Sequence, residues 1–309
     1  MWKVCIVVFL AACTATTVPA SGPPVDSSPG SLPDSPPPDS APLPPIGGDR
    51  PVTVHVPPSY VPGTPMPLVM MLHGYTATGP QTESGFKIAT LADSRGFLYV
   101  TPTGPIDKLK NPFWFATDAC CDFYDTKPKV DDSAYLSQVI KEISARYTVD
   151  PKRVFIIGLS AGGFMAYRMA CDHGDQIAAI ASFAGAMWSD PTKCPAKTPV
   201  NVLHVHGSID TNVPFDGGLF NAPHTVPSVA QTVADWIAFN HCSSTGTSGP
   251  PRDLNKGLAG NETTVTTYAK CASGGSVELW TIVGQGHNDN RSATYNDQLI
   301  DFLLAHPKL

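Results

Sequence analysis

Residues 153–170 read RVFIIGLSAGGFMAYRMA. The run from Val154 to Ile157 is apolar and mostly β-branched, which is typical of a strand buried on both faces of a parallel sheet. Ser160 follows inside Gly158-Leu159-Ser160-Ala161-Gly162, a G-x-S-x-G pattern in which a serine occupies a sharp turn between a strand and a helix. Residues 164–170 predict that helix. The stretch predicts an α/β fold with Ser160 as a nucleophile, although a short pattern of this kind also fits a small residue in a tight turn.

A second buried strand is predicted from Leu68 to Leu72, and it runs into His73-Gly74-Tyr75. In folds built around such a serine, the backbone N–H that follows a strand and a glycine supplies one donor to the oxyanion. We therefore expect the N–H of Tyr75 to be an oxyanion donor. The His73 side chain is expected to be a structural hydrogen-bonding group and not a base.

An acid and a base are expected downstream of the nucleophile, in the order Ser, Asp, His along the chain. Asp210 comes just after a predicted strand at residues 201–206 and is our acid, with Asp216 and Asp235 as weaker candidates. His287 follows the last predicted strand in a glycine-containing loop, which is the placement required of the base.

A long loop at residues 102–130 carries several aromatic residues and two cysteines. Long structured loops in compact domains are commonly binding loops. We predict that Trp114 in this loop and Trp188 further along contact the substrate. The alternative for Trp114 is that the aromatic residues of the loop anchor it to the core.

The composition limits the classes of function. The 309 residues are 42% hydrophobic and 15% charged, with a net charge of -6, which indicates a folded protein with no basic surplus for nucleic acid. Cys-x-x-Cys repeats and His-Glu-x-x-His are absent from the sequence, so we expect no metal and no cofactor. We also expect a monomer.

The N-terminus reads as an export signal over residues 1–20, because its apolar core is too short to span a bilayer. Leu10-Ala11-Ala12-Cys13 resembles a lipobox, in which case Cys13 would be lipidated and would anchor the protein to a membrane. Ordinary cleavage near residues 18–20 is the alternative. Both routes place the protein outside the cytoplasm, at the cell surface or free in the medium.

Residues 21–48 are rich in proline and serine, which predicts a disordered, extended linker. The folded domain is then expected to cover residues 49–309. Of the 8 cysteines, Cys5 and Cys13 belong to the signal. The remaining six suit disulfides in an oxidising compartment, and six cysteines allow 15 pairings, none of which the spacing fixes.

Four stretches of the sequence together resemble those of a known family. The stretches are LHGYTATG, VDDSAYLSQVIKEISARYTVDPKRVFIIGLSAGGFMAYRMAC, HGSIDTNVPF and GQGH. The chain is similar from Pro51 to Leu309 to secreted esterases of the α/β-hydrolase fold. These include single-domain poly(3-hydroxybutyrate) depolymerase-like proteins, lipoprotein esterases of actinobacteria, and the feruloyl and acetyl-xylan esterases of carbohydrate esterase family one.

The resemblance implies a mostly parallel central sheet with helices on both faces, no lid domain and no cofactor. It implies that Ser160, Asp210 and His287 form the catalytic triad, and that the N–H groups of Tyr75 and Ala161 form the oxyanion hole. It also implies a disulfide between Cys242 and Cys271 and a kept vicinal pair at Cys120-Cys121. Depolymerase-like relatives often carry a tryptophan immediately after the histidine motif, where this chain has Asn288.

These observations predict a secreted serine ester hydrolase. Its substrate would be a feruloyl or acetyl ester of a polysaccharide, or a hydroxyalkanoate polyester. Two alternatives remain open, a peptidase of the same fold and a non-catalytic surface protein that uses the fold to bind. Loss of Ser160, Asp210 or His287 would mark the second, and all three are present.

Overall fold

The computed structural model describes residues 43–196, 198–271, 275–287 and 290–308. The predicted signal at residues 1–20, with Cys13, and the predicted linker as far as residue 42 lie outside the described residues. A compact unit begins at Pro44.

Strands and helices alternate through most of the chain, as the sequence predicts. The helices are α1 (Gly79–Phe86), α2 (Ile88–Arg95), α3 (Asp132–Arg146), α4 (Ala161–Asp172), α5 (Val229–Phe239) and α6 (Tyr295–Ala305). The strands are β1 (Val54–His55), β2 (Met66–Leu72), β3 (Leu98–Val100), β4 (Val149–Leu159), β5 (Ala179–Phe183), β6 (Asn201–Gly207), β7 (Gly218–Asn221), β8 (His224–Val226), β9 (Thr247–Ser248), β10 (Thr263–Tyr268) and β11 (Ser276–Ile282).

Nine strands of the described chain form one sheet in the order β1-β3-β2-β4-β5-β6-β11-β10-β9. The run from β3 to β11 is parallel, whereas β1, β10 and β9 pair antiparallel at the two ends. Strands β7 and β8 form a separate hairpin. The prediction of a mostly parallel central sheet is therefore confirmed.

Helices cover both faces of this sheet. Alternate side chains of β2 show the two layers. Leu68 and Met70 belong to the buried cluster that includes residues of α3, α4 and α5, while Val69 and Met71 belong to the cluster that includes residues of α2 and α6. A strand covered on both faces has no polar side, which explains the continuous apolar runs in the sequence. None of the helices in the described part combines the length and apolar character that crossing a membrane requires.

The compact unit starts a few residues before the predicted position 49. Residues 44–48 belong to it, with Ile46 only 6% exposed. Next to this segment, Arg50 Nη1 lies 2.6 Å from a carboxylate oxygen of Asp132 at the start of α3. The buried isoleucine and this ion pair fix the start of the unit, although the composition of residues 44–48 resembles that of the preceding residues.

Disulfides join all six cysteines of the described chain. The pairs are Cys120–Cys121, Cys171–Cys194 and Cys242–Cys271. The pairing of Cys242 with Cys271 is thus confirmed, and it closes a segment that contains β9 and β10. The cysteine spacing had left the other two pairs open.

Candidate active site

Ser160 lies at the turn between β4 and α4 with φ 52° and ψ -116°, a backbone conformation that residues other than glycine rarely adopt. The backbone N–H of Ser160 donates to the carbonyl of Phe183 at 2.8 Å and so helps to hold the turn. The flanking positions require glycine because there is no room for a Cβ atom at either of them. A Cβ on Gly158 would lie 2.0 Å from the carbonyl oxygen of Gly162, and one on Gly162 would lie 2.1 Å from that of Leu72. The sequence therefore forms an elbow that presents Ser160 at the carboxyl end of β4.

The structure brings together the three residues predicted as a triad. Nε2 of His287 lies 3.0 Å from Oγ of Ser160, and Nδ1 of His287 lies 2.7 Å from Oδ2 of Asp210. The other oxygen of Asp210 accepts the backbone N–H groups of Asn212 and Val213 at 2.8 and 3.0 Å. The weaker acid candidates are placed elsewhere, since Asp216 is exposed and Asp235 accepts from Gln231 on α5.

The Asp210 side chain is fully buried, while the His287 side chain keeps 20% of its exposure. Burial alone would raise the pKa of the Asp210 carboxyl, but hydrogen bonds from His206 and His287 and from the backbone outweigh it, so that its pKa lies below the ordinary value. The carboxylate is therefore ionised at neutral pH, the state that can orient an imidazole and stabilise its protonated form.

The backbone N–H groups of Tyr75 and Ala161 have no acceptor among the described residues. Ala161 is the first residue of α4, where the N–H groups of a helix are unpaired by construction and favour negative charge. The Tyr75 backbone is held through its ring, since the hydroxyl donates to Asp107 at 2.5 Å and accepts from Asn111 at 3.2 Å. These two N–H groups are the ones predicted to hold a developing oxyanion.

An open cleft of about 560 Å³ lies over Ser160 and His287. Three aromatic residues, Tyr75, Phe123 and Phe220, line it, and we call them the aromatic wall. The rings of Tyr75 and Phe123 are 5.0 Å apart edge to face, and those of Phe123 and Phe220 are 5.9 Å apart. Phe220 comes from the β7–β8 hairpin, which the sequence analysis did not predict. The wall gives the cleft an apolar side suited to a flat or hydrocarbon group.

The two tryptophans predicted to contact substrate lie elsewhere. Trp114 is fully buried, its ring centroid lies 4.7 Å from that of His73, and its Nε1 donates to the His73 carbonyl at 3.0 Å. This placement matches the alternative of an anchoring role. Trp188 lines a separate groove together with Arg168 and Lys193, and not the cleft over Ser160. In the aromatic loop, Phe123 and not Trp114 faces the cleft.

His73 has the structural role expected of it. Its Nε2 accepts the backbone N–H of Gly104 at 3.0 Å, and its Nδ1 donates to the carbonyl of Gly74 at 2.8 Å. Burial lowers its pKa from 6.5 to about 4, against a smaller raising effect of the Gly74 hydrogen bond. His73 is therefore neutral at pH 7 and holds the strand end that leads into Tyr75.

Comparison with known proteins shows the family to which the chain belongs. The chain belongs to the phospholipase/carboxylesterase family, whose sequence model matches residues 62–231. The expectation of an ester hydrolase with an α/β-hydrolase fold is thereby confirmed, at the level of the family.

Three curated relatives are similar over most of the described domain. NocK of Nocardia uniformis subsp. tsuyamanensis, named as a candidate esterase, is 29% identical over 77% of this chain and 74% of its own. Feruloyl esterase B of Piromyces equi is 29% identical over 77% of this chain. The bifunctional acetylxylan esterase/xylanase XynS20E of Neocallimastix patriciarum is 28% identical over 78%. The matches span only 42% and 31% of the last two proteins.

Solved structures show the same fold. The acetyl xylan esterase from Aspergillus awamori superposes with a TM-score of 0.61 at 18% identity, covering 83% of this chain and 96% of its own. Esterase PE8 superposes with a TM-score of 0.52 at 16% identity, covering 82% of this chain and 97% of its own. At these identities the likeness concerns the fold.

Proposed function

We propose that this chain is an exported, monomeric serine esterase that cleaves carboxylic esters through an acyl-enzyme. The observation that carries the proposal is the continuous row of contacts from Ser160 through His287 to Asp210, at 3.0 and 2.7 Å. These distances allow proton transfer from the serine to the imidazole, with the buried carboxylate on the other ring nitrogen.

The reaction follows from these positions. His287 removes the proton of Ser160 Oγ as that oxygen attacks the ester carbonyl. The N–H groups of Tyr75 and Ala161 hold the negative oxygen, each donor contributing on the order of 10² to 10³ in rate. His287 then gives the proton to the leaving alcohol, and water releases the acid by the same steps in reverse. Asp210 keeps Nδ1 of His287 protonated and stabilises the imidazolium that forms.

The aromatic wall favours an ester with an aromatic acyl group, of the feruloyl type, attached to a polysaccharide. Phe123 and Phe220 stand on the apolar side of the cleft, where a flat acyl ring can pack while its carbonyl lies over Ser160. The name of the relative from Piromyces, a feruloyl esterase, agrees with this class. The relative from Neocallimastix is named a bifunctional acetylxylan esterase/xylanase, which agrees with a polysaccharide ester but not with an aromatic acyl group. Hydrolysis of a hydroxyalkanoate polyester is the second candidate, because the cleft is open and a relative from Paucimonas lemoignei is named poly(3-hydroxyalkanoate) depolymerase C.

The proposed organisation is an export signal at residues 1–20, a linker and a single esterase domain. The disulfides of the described domain support an oxidising compartment, since cytosolic thiols stay reduced. Lipidation at Cys13 would retain the enzyme at a membrane surface. Mass spectrometry of the mature N-terminus separates the two routes, because a lipidated Cys13 supports anchoring and a free N-terminus beyond residue 18 excludes it.

The chemistry is tested by comparing wild type with Ser160→Ala on p-nitrophenyl acetate. We expect the variant to lose at least about 10³ in kcat, because the nucleophile is gone while the fold remains. Equal activity of the two proteins, or no hydrolysis of any ester by the wild type, would remove the basis of the proposal.

The substrate class is tested with methyl ferulate, p-nitrophenyl acetate and a poly(3-hydroxybutyrate) suspension. Phe123→Ala should lower kcat/KM for methyl ferulate about 10-fold and that for the acetate much less, because about 1.4 kcal/mol of ring contact is lost only with the aromatic acyl group. Tyr124→Ala is the matched control, since this neighbouring aromatic residue is exposed and does not line the cleft. Equal losses on both soluble esters would argue against an aromatic acyl subsite, and release of hydroxybutyrate would favour the second candidate.

A further inference from the structure

Behind the acid of the triad lies a chain of buried polar side chains that the proposed mechanism does not use. The hydroxyl of Tyr167 lies 2.6 Å from Nδ1 of His204, and Nε2 of His204 lies 3.1 Å from Nδ1 of His206. Nε2 of His206 lies 3.0 Å from the carbonyl oxygen of Val213 and 3.4 Å from Oδ2 of Asp210. Tyr167, His204 and His206 are each at most 1% exposed.

When both imidazoles are neutral, the chemistry of the end group fixes the direction of every hydrogen bond in this chain. A carbonyl oxygen only accepts, so Nε2 of His206 carries a hydrogen. A neutral His206 then has its lone pair on Nδ1, which accepts from Nε2–H of His204. The same argument gives His204 a lone pair on Nδ1, which accepts from the Tyr167 hydroxyl. Each polar hydrogen has an acceptor, and both imidazoles are in the Nε2–H form.

We propose that His206 is a positioning residue for Asp210, and that Tyr167 and His204 fix the tautomer in which it can act. The Nε2–H of His206 lies beside Oδ2, the oxygen that also receives the Nδ1–H of His287. This proposal rests on the proposed function, since Asp210 matters in this way only if it orients a catalytic base.

The arrangement suits the acid because it supplies a hydrogen-bond donor at Nε2 of His206. A buried carboxylate needs hydrogen bonds to replace water, and Oδ2 of Asp210 has none from the backbone, whose two N–H groups go to Oδ1. Burial holds the pKa of His204 well below its ordinary value, so His204 is neutral.

Two amide substitutions at position 206 separate positioning from packing. In His206→Gln the amide nitrogen reaches about as far as Nε2 and can still donate toward Asp210 and Val213. In His206→Asn the amide reaches only about as far as Nδ1, so it can accept from His204 but cannot reach Asp210. Both variants place a neutral amide in the same buried site, which makes each the control of the other.

The expected result is a difference in kcat for p-nitrophenyl acetate at an unchanged KM. His206→Asn should lose about 10- to 100-fold, the effect of one hydrogen bond to a charged group, whereas His206→Gln should recover most of that loss. Rates are normalised to active sites counted by the burst of p-nitrophenol, so that misfolded protein does not contribute. Equal losses in the two variants, or a loss that falls on KM, would overturn the positioning role.

A second measurement needs no substitution. Nitrogen-15 NMR of histidine-labelled wild-type protein distinguishes the two tautomers of each ring, and we expect the Nε2–H form at both His204 and His206. A proton on Nδ1 of His206 as the neutral form would overturn the proposal. Ser160→Ala is assayed in parallel, because activity retained there would refute the proposed function itself, whatever the two amide variants show.

Discussion

His73 makes the stability of this protein sensitive to acid. Its Nε2 accepts a hydrogen bond from Gly104, so protonation of the ring would place two N–H groups against each other in a buried site. The pKa falls from 6.5 to about 4 on folding because burial disfavours the charged form. Between these values the unfolded chain binds a proton that the folded chain does not. The contribution of neutral His73 to the free energy of unfolding is thus present above about pH 6.5 and is lost as the pH falls toward 4.

The size of the effect follows from the shift. The difference between a pKa of 6.5 in the unfolded chain and about 4 in the folded chain corresponds to about 3 kcal/mol in the free energy of unfolding. Of this, about 2 kcal/mol is lost between about pH 7 and about pH 4.5, where the ring is charged in nearly all unfolded chains and in only a minority of folded ones. Other groups, Asp210 and His204 among them, add their own dependence on pH.

Urea unfolding of wild type and His73→Gln, with the disulfides intact, isolates the contribution of His73. Glutamine does not titrate, and the remaining groups titrate alike in both proteins and cancel in the difference. We expect the wild type to be the more stable protein at about pH 7 and this advantage to shrink by about 2 kcal/mol at about pH 4.5. An advantage that is the same at both pH values would refute the reasoning, since it would mean that His73 titrates normally in the fold.

Three further outcomes are expected. Gly162→Ala should give little or no folded protein by circular dichroism, because its Cβ would lie 2.1 Å from a carbonyl oxygen of β2, and a normal melting curve would contradict this. Trp114→Phe should lower the free energy of unfolding by about 1 kcal/mol through loss of the hydrogen bond to His73, and leave the preference between ester substrates unchanged, whereas a changed preference would return Trp114 to the cleft. Replacing Cys242 and Cys271 together by serine should cost about 3 to 4 kcal/mol by chain entropy, since the bridge spans 29 residues, and an unchanged urea midpoint would show that the loop needs no closure.

The elbow and the order of the candidate triad could be predicted because the signals are local. Ser160 stands between glycines that the turn requires, and Asp210 and His287 each follow a predicted strand. Parallel strands of one sheet end at the same edge, so residues just after those strands meet in space even though long stretches of sequence separate them.

The lining of the cleft could not be predicted in the same way. Trp114 and Phe123 share one loop, and tertiary packing alone decides that the tryptophan enters the core while the phenylalanine faces Ser160. Phe220 was missed because β7 and β8 are too short for a periodic pattern. The sequence analysis gave no helix at α1, although Thr78 and Gln81 form a capping box that marks its start.

The strained turn at Ser160 also means that this protein is less stable than its fold allows. Holding a residue other than glycine at φ 52° and ψ -116° lowers the free energy of unfolding by on the order of 1 to 3 kcal/mol. A glycine at the same position would largely avoid this loss. This conformation places Oγ of Ser160 within 3.0 Å of Nε2 of His287. In thermal selection for stability alone, position 160 would therefore be among the first to change, and the variants that survive best would be those that no longer carry a nucleophile.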